Sequence, residues 1–253
     1  MATTIAIGNQ KGGVAKTTTC LSLGACLAEM GQSVLLVDLD PQANLTLSVG
    51  LRPEQLRRTV ADALLGNTSL VSVSRESPVF DLDIVPANQG LVVVDKVLYG
   101  RQGYQFHLKN GLEAMGEGFY DCVLIDCPPS FGTLTLNALT ASELLLIPIQ
   151  CEYYAAYSLR HFVELVQRVR ERLNPSLTYR VLVTMYDRRN KICQVIFEQM
   201  RRGLSRVLLN TVIEVDTKLR ESPAFGQPIT RYAPSTRGAE QYRALAQELM
   251  NHA

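Results

Sequence analysis

The run GNQKGGVAKTTT at residues 8–19 restricts this chain more than any other feature. Before it stands a short apolar segment, Thr4-Ile5-Ala6-Ile7, with the pattern of a strand. After it, Leu21, Leu23, Ala25, Leu27 and Met30 predict a helix. Strand, glycine-bearing turn and Lys-Thr at a helix start make a cradle for phosphate. Gly12 and Gly13 let the backbone curl so that N–H groups converge. The helix N-terminus adds partial positive charge. Lys16 reaches toward outer phosphates, and Thr17 offers a hydroxyl to Mg²⁺. The spacing G-x(4)-G-K-[ST] is not met. Its two glycines would fall on Gln10 and Ala15, and a second lysine, Lys11, opens the loop instead.

Apolar strand patterns alternate with helical ones along most of the remaining chain. Strands are predicted at 4–8, Val34–Val37, Leu82–Val85, Cys122–Ile125, Leu144–Ile149, Tyr179–Val183 and, weakly, Val212–Ile213. Several are near-continuous Val, Ile and Leu, as parallel strands covered on both faces require. Helices are predicted at about Ala156–Leu173, ending before Asn174-Pro175, at Ile192–Leu208, and from Gly238 to Asn251. The expected fold class is α/β: a doubly wound, mostly parallel sheet flanked by helices, as one domain over residues 1–253. Residues 50–80 are less regular. Ligands of such sheets bind at the carboxyl ends of strands, where the glycine loop lies.

Two further segments bring carboxylates to strand ends. Val34-Leu35-Leu36-Val37-Asp38-Leu39-Asp40-Pro41-Gln42 ends a buried strand in carboxylates spaced i, i+2, which share a face if the strand persists. Beside a phosphate loop, one carboxylate can hold a Mg²⁺-bound water while the other orients attacking water. Tyr120-Asp121-Cys122-Val123-Leu124-Ile125-Asp126-Cys127-Pro128-Pro129 ends a second apolar strand in Asp126, an oxygen ligand suited to a hard cation. Hydrolysis by positioned water fits this set better than covalent catalysis.

The loop resembles the deviant Walker A motif, K-G-G-x-G-K-[ST]-[ST], of the ParA/MinD family of ATPases. Asp38-Leu39-Asp40-Pro41-Gln42 and Asp126-Cys127-Pro128-Pro129-Ser130 are similar to ParA segments. So are Thr184-Met185-Tyr186-Asp187-Arg188-Arg189 and the tract from Lys218 to Gly238. The resemblance covers about residues 3–250. It implies that Gly12, Gly13, Val14, Ala15, Lys16, Thr17 and Thr18 bind ATP. It implies that Lys11 reaches a partner's nucleotide across a homodimer. Thr17, Asp38 and Asp126 would serve Mg²⁺, and Asp40 would be the hydrolysis residue beside Lys11 and Lys16. Ala15 replaces the family's commoner glycine, which predicts slower dimer closure or turnover. The segment at 184–189 is expected near adenine, and Arg189 is implicated in DNA contact.

Net charge is +1 but unevenly placed. Residues 188–243 hold eleven basic and five acidic side chains, so a polyanion-facing surface is expected there. Candidate contacts are Arg189, Lys218, Arg220, Arg201, Arg202 and Arg206. Six cysteines lack C-x-x-C spacing, and five stand in apolar segments where cysteine acts as a small hydrophobe. No signal-peptide pattern or long apolar span is present. A form without an N-terminal helix-turn-helix extension is expected, and the segment up to Ala253 shows no basic amphipathic pattern, so membrane targeting is not expected. The expected function is an ATP-dependent partitioning ATPase, cytoplasmic and nucleoid-associated. Its ATP dimer would bind duplex DNA non-specifically, and a ParB-like activator would release it. Two alternatives remain: positioning of a protein cargo through an adaptor, and a metabolic P-loop enzyme such as a reductase or synthetase.

Overall fold

The structure, a computed structural model, describes residues 2–79, 81–116, 118–153 and 155–251, the side chains of 155–158 excepted. The expectation about the chain's end at Ala253 therefore lies outside the described residues. Eight strands form one sheet: β1 (Thr3–Ile7), β2 (Val34–Asp38), β3 (Arg75–Glu76), β4 (Leu82–Val85), β5 (Cys122–Asp126), β6 (Leu144–Ile149), β7 (Thr178–Tyr186) and β8 (Leu208–Glu214). Their order is β3-β4-β2-β5-β1-β6-β7-β8. All pairings are parallel except β3 with β4.

Alternating side chains build two cores. Ala6, Leu35, Val37, Val123, Ile125, Leu145, Ile147 and Val181 face one side, against Leu64, Leu91, Ala138, Phe162, Val166 and Met200 from helices. Ile5, Ile7, Val34, Leu36, Cys122, Leu124, Leu146 and Leu182 face the other, against Leu23, Leu27, Tyr242, Leu245 and Ala246. The period of two puts neighbours on opposite faces, so both faces are dry and the strands read as unbroken apolar runs. All six cysteines are buried and free.

The helix Lys16–Glu29 lies against the second face, buried along most of its length. Gly24 permits the approach. A Cβ there would stand 2.9 Å from Leu36 Cδ2 and 3.1 Å from Leu82 Cδ1. β1 stands at the centre of the sheet, with β5 on one side and β6 on the other. The chain winds away from it in both directions, which leaves a crevice at its carboxyl end.

One predicted bound needs adjustment, and two strands carry little sequence signal. The helix predicted to Leu208 ends at Gly203, and β8 begins at Leu208. β8 is an edge strand carrying exposed Asn210, so its alternation is weak in sequence. β3 holds only two exposed residues, Arg75 and Glu76, and carries no hydrophobic signal. The stretch 50–80 is ordered into short helices, among them Val60–Leu64 under a Thr59–Asp62 capping box.

Candidate active site

The carboxyl ends of β1, β2, β5, β6 and β7 converge on residues 8–18. Gly13 has φ +73° and Ala15 has φ +65°, both left-handed. The loop must therefore curl back on itself. At Ala15 this conformation costs about 1–2 kcal/mol for a residue with a Cβ, which is the backbone reason a glycine suits that position. Ala15 is also the N-cap of the helix Lys16–Glu29 and supplies no side-chain cap. The first N–H groups of that helix are thus left for an anion.

Lys16 is buried, and its Nζ donates to Lys11 O at 3.3 Å. Thr17 Oγ1 donates to Asp126 Oδ2 at 2.6 Å. Asp126 and Asp38 are register partners across β5 and β2. Both are fully buried. Asp38 accepts from Asp40 N at 3.1 Å, Thr46 N at 2.9 Å and Thr46 Oγ1 at 2.7 Å. Its carboxylate ties the end of β2 to the following short helix. Asp40, also buried, accepts from Gln42 N at 2.9 Å.

Burial raises the pKa of both inner carboxylates. Asp38 is pushed from 3.8 to about 6, by desolvation first, against the hydrogen bonds from Thr46. Asp126 is pushed well above its ordinary value by desolvation and then by the Asp38 charge. The Thr17 hydroxyl and the Lys16 ammonium oppose that rise. Among the described residues Asp126 Oδ1 is buried without any hydrogen-bond partner. An orphaned carboxylate oxygen beside a threonine hydroxyl fits a small hard cation. Among the described residues no group of three or more His, Cys, Asp or Glu side chains forms a cluster able to hold a metal. Mg²⁺ itself takes one or two carboxylates and fills its remaining positions with water and phosphate.

A cavity of about 250 Å³ opens beside the loop, lined by Ala15, Thr18, Met185, Val215, Asp216 and Arg220 among others. It joins the segment at 184–189 to the C-terminal tract, so two regions far apart in sequence meet at the loop. Glu214, buried at its edge, pairs with Arg188 and with Arg237 at 2.9 Å.

The candidate polyanion contacts are scattered in their engagement. Arg189 pairs with Asp187 at 3.1 Å, Lys218 with Glu221 at 2.7 Å and Arg201 with Glu198 at 3.2 Å. Arg202 and Arg206 are exposed and carry no ion pair among the described residues. Arg220 is exposed and lines the cavity.

Sequence reading missed several partners. Lys11 Nζ forms an ion pair with Glu152, both largely exposed. Asn9 Nδ2 donates to Pro148 O at 2.7 Å, and Asn9 Oδ1 accepts from Lys11 N at 3.0 Å. Gln150 and Thr184 bond to loop carbonyls. The available signal was position: residues 148–152 end β6 just as Asp38 and Asp126 end β2 and β5.

A glycine loop between a central parallel strand and a buried helix, with strand-end carboxylates beside it, defines a P-loop NTPase of the ParA/MinD class. The model of a family described as an AAA domain matches residues 2–179. The chain is 42% identical over 246 residues to the sporulation initiation inhibitor protein Soj of Bacillus subtilis, covering 97% of each. It is 38% identical over 249 residues to the chromosome partitioning protein ParA of Caulobacter vibrioides, covering 98% of this chain and 93% of that one. The Mycobacterium smegmatis structure of a cobyrinic acid a,c-diamide synthase, with bound ATP analogue and magnesium, superposes with TM-score 0.88 at 35% identity, covering 100% of this chain and 96% of the other. The chain belongs to the Soj/ParA family of partitioning ATPases.

Proposed function

We propose that this chain is an ATP- and Mg²⁺-dependent partitioning ATPase that pairs face to face around nucleotide and binds duplex DNA as that dimer. One observation carries the reading: the orphaned Asp126 Oδ1 lies beside Thr17, directly after Lys16 in an uncapped helix start. Residues 11–18 hold the phosphates, with Lys16 as the resident cation. Thr17 and Asp126 hold Mg²⁺, with Asp38 behind them fixing the loop that carries Asp40. Bound Mg²⁺ neutralises phosphate charge as it develops in phosphoryl transfer. Asp40 orients attacking water. Lys11 leaves Glu152 and serves the partner protomer's nucleotide. An exposed pair of this kind is worth about 0–1 kcal/mol, so leaving it is a small cost.

The DNA surface draws on Arg189, Lys218, Arg220, Arg201, Arg202 and Arg206. Arg202, Arg206 and Arg220 are the strongest candidates, because no carboxylate pairs with them among the described residues. An activating partner of ParB-like chemistry, or a cargo adaptor, would stimulate hydrolysis and release the dimer at the nucleoid. Among the described residues no helix is long and apolar enough to cross a membrane.

The test is DNA affinity against salt for the ATP-saturated protein. Each lost phosphate contact should flatten the log–log slope by about 0.9, equally on all sequences. An Arg202→Ala, Arg206→Ala, Arg220→Ala variant with the parent's slope and affinity would remove this surface. A second reading rests on the 35% identity to the Mycobacterium smegmatis synthase. It predicts ATP turnover stimulated by a carboxylic acid acceptor with an amide-nitrogen donor, and indifferent to DNA.

A further inference from the structure

The end of β6 touches the glycine loop at several points, one of them through the side chain of Gln150. The side-chain amide of Gln150 has two donor hydrogens. It donates to Gly13 O at 2.9 Å and lies against Met185 Sδ. Met185 has φ +52° and lines the cavity together with Ala15 and Thr18. One residue away, Thr184 Oγ1 donates to Val14 O at 3.1 Å and to Ile149 O at 3.4 Å. Two consecutive loop carbonyls are therefore held toward the ends of β6 and β7.

In a trans peptide the N–H points opposite to the C=O of the same plane. Fixing Gly13 O thus fixes the Val14 N–H, and fixing Val14 O fixes the Ala15 N–H. Both N–H groups then point away from β6 and β7, into the curl of the loop. That curl is where converging amides bind an anion.

We infer that Gln150 is a positioning residue of the nucleotide site, which orients the Val14 amide toward phosphate by holding the Gly13 carbonyl and ties the loop to the wall of the adjoining cavity. The inference rests on the reading of residues 11–18 as the phosphate cradle. Gln150 itself touches no phosphate in this assignment, and Gly13 is the group through which it acts. Thr184 does the same for Ala15, but it is wholly buried, so its replacement would disturb packing as well. Gln150 is only half-buried, which makes it the cleaner probe.

The experiment compares Gln150→Met, which keeps volume and loses both donors, with Gln150→Glu, which keeps shape and turns a carboxylate toward the Gly13 carbonyl. Affinity is measured by calorimetry for ATP and for tripolyphosphate, each with Mg²⁺, and unfolding temperature is measured on the nucleotide-free chain. Loss of one orienting hydrogen bond should weaken both ligands about threefold to tenfold in Gln150→Met. Gln150→Glu should weaken them further. The nucleotide-free unfolding temperature should stay at the parent's value for both variants. Parent affinity in both variants would overturn the inference alone, and so would a loss confined to ATP, which would place the effect on the base side. An affinity loss matched by a fall in unfolding temperature would assign Gln150 a purely structural role. A parent chain that binds neither ATP nor tripolyphosphate would overturn the nucleotide reading and this inference with it.

Discussion

Asp126→Asn should make the nucleotide-free protein more stable while removing its response to Mg²⁺. Asp126 is 1% exposed, faces Asp38, and leaves Oδ1 without a partner. Its folded pKa lies well above the ordinary 3.8, because burial and the Asp38 charge oppose ionisation. The native chain therefore holds this proton more tightly than the unfolded chain does. Stability falls as pH rises from about 4 through the folded pKa, and stays reduced above it. Asp38, equally buried but better hydrogen-bonded, rises to about 6. A rise of that size corresponds to about 3 kcal/mol. The sign is the same for Asp126, where desolvation is again the first cause and Thr17 gives the one opposing hydrogen bond. Asparagine keeps an acceptor for Thr17 Oγ1 and carries no charge. Asp126→Asn should then raise the unfolding temperature at pH 8, by about 2–4 °C for each kcal/mol of charge burial relieved in a chain of this size. The gain should shrink toward zero near pH 4, where both chains are neutral at this position. Thermal unfolding at the two pH values, with and without ATP and Mg²⁺, reads all of this. A destabilised variant at pH 8, or a gain independent of pH, would refute the assignment of an uncompensated buried carboxylate.

Three further outcomes are expected. Lys11→Ala should bind nucleotide with near-parent affinity yet remain monomeric by light scattering in ATP, and its unfolding temperature should barely move, since the Glu152 pair is exposed. Asp40→Ala should keep the ATP-bound dimer and lose turnover; hydrolysis at the parent's rate in a phosphate-release assay would hand that role to another carboxylate. Ala15→Gly removes the left-handed cost of about 1–2 kcal/mol but adds about 0.4–1 kcal/mol of unfolded-chain entropy, so stability should rise by between zero and about 1.6 kcal/mol, while faster dimer closure appears in stopped-flow scattering.

The sequence by itself determined the fold class and the ligand chemistry, because both rest on local patterns. Unbroken apolar runs such as Val34–Val37 and Leu144–Ile149, alternating with helical patterns, suit a parallel sheet covered on both faces. Lys16-Thr17 at a helix start can cradle phosphate whatever follows. Asp38 and Asp126 do close the apolar strands that the sequence predicted, whereas β2 ends at Asp38 and leaves Asp40 two residues beyond it, so the i, i+2 pair does not share one strand face. What only the tertiary structure decided were pairings across more than a hundred residues: Thr17 with Asp126, Lys11 with Glu152, and Gln150 with Gly13. No spacing rule relates such positions. They meet because β5, β1, β6 and β7 end on one edge of the sheet. The basic tract shows the converse. Its eleven positive charges form a pattern in the sequence, but in the fold Glu198, Glu214 and Glu221 claim Arg201, Arg188, Arg237 and Lys218 as ion-pair partners. A charge count sums along the chain, whereas the field that a polyanion meets is set by which charges the fold leaves unpaired in space.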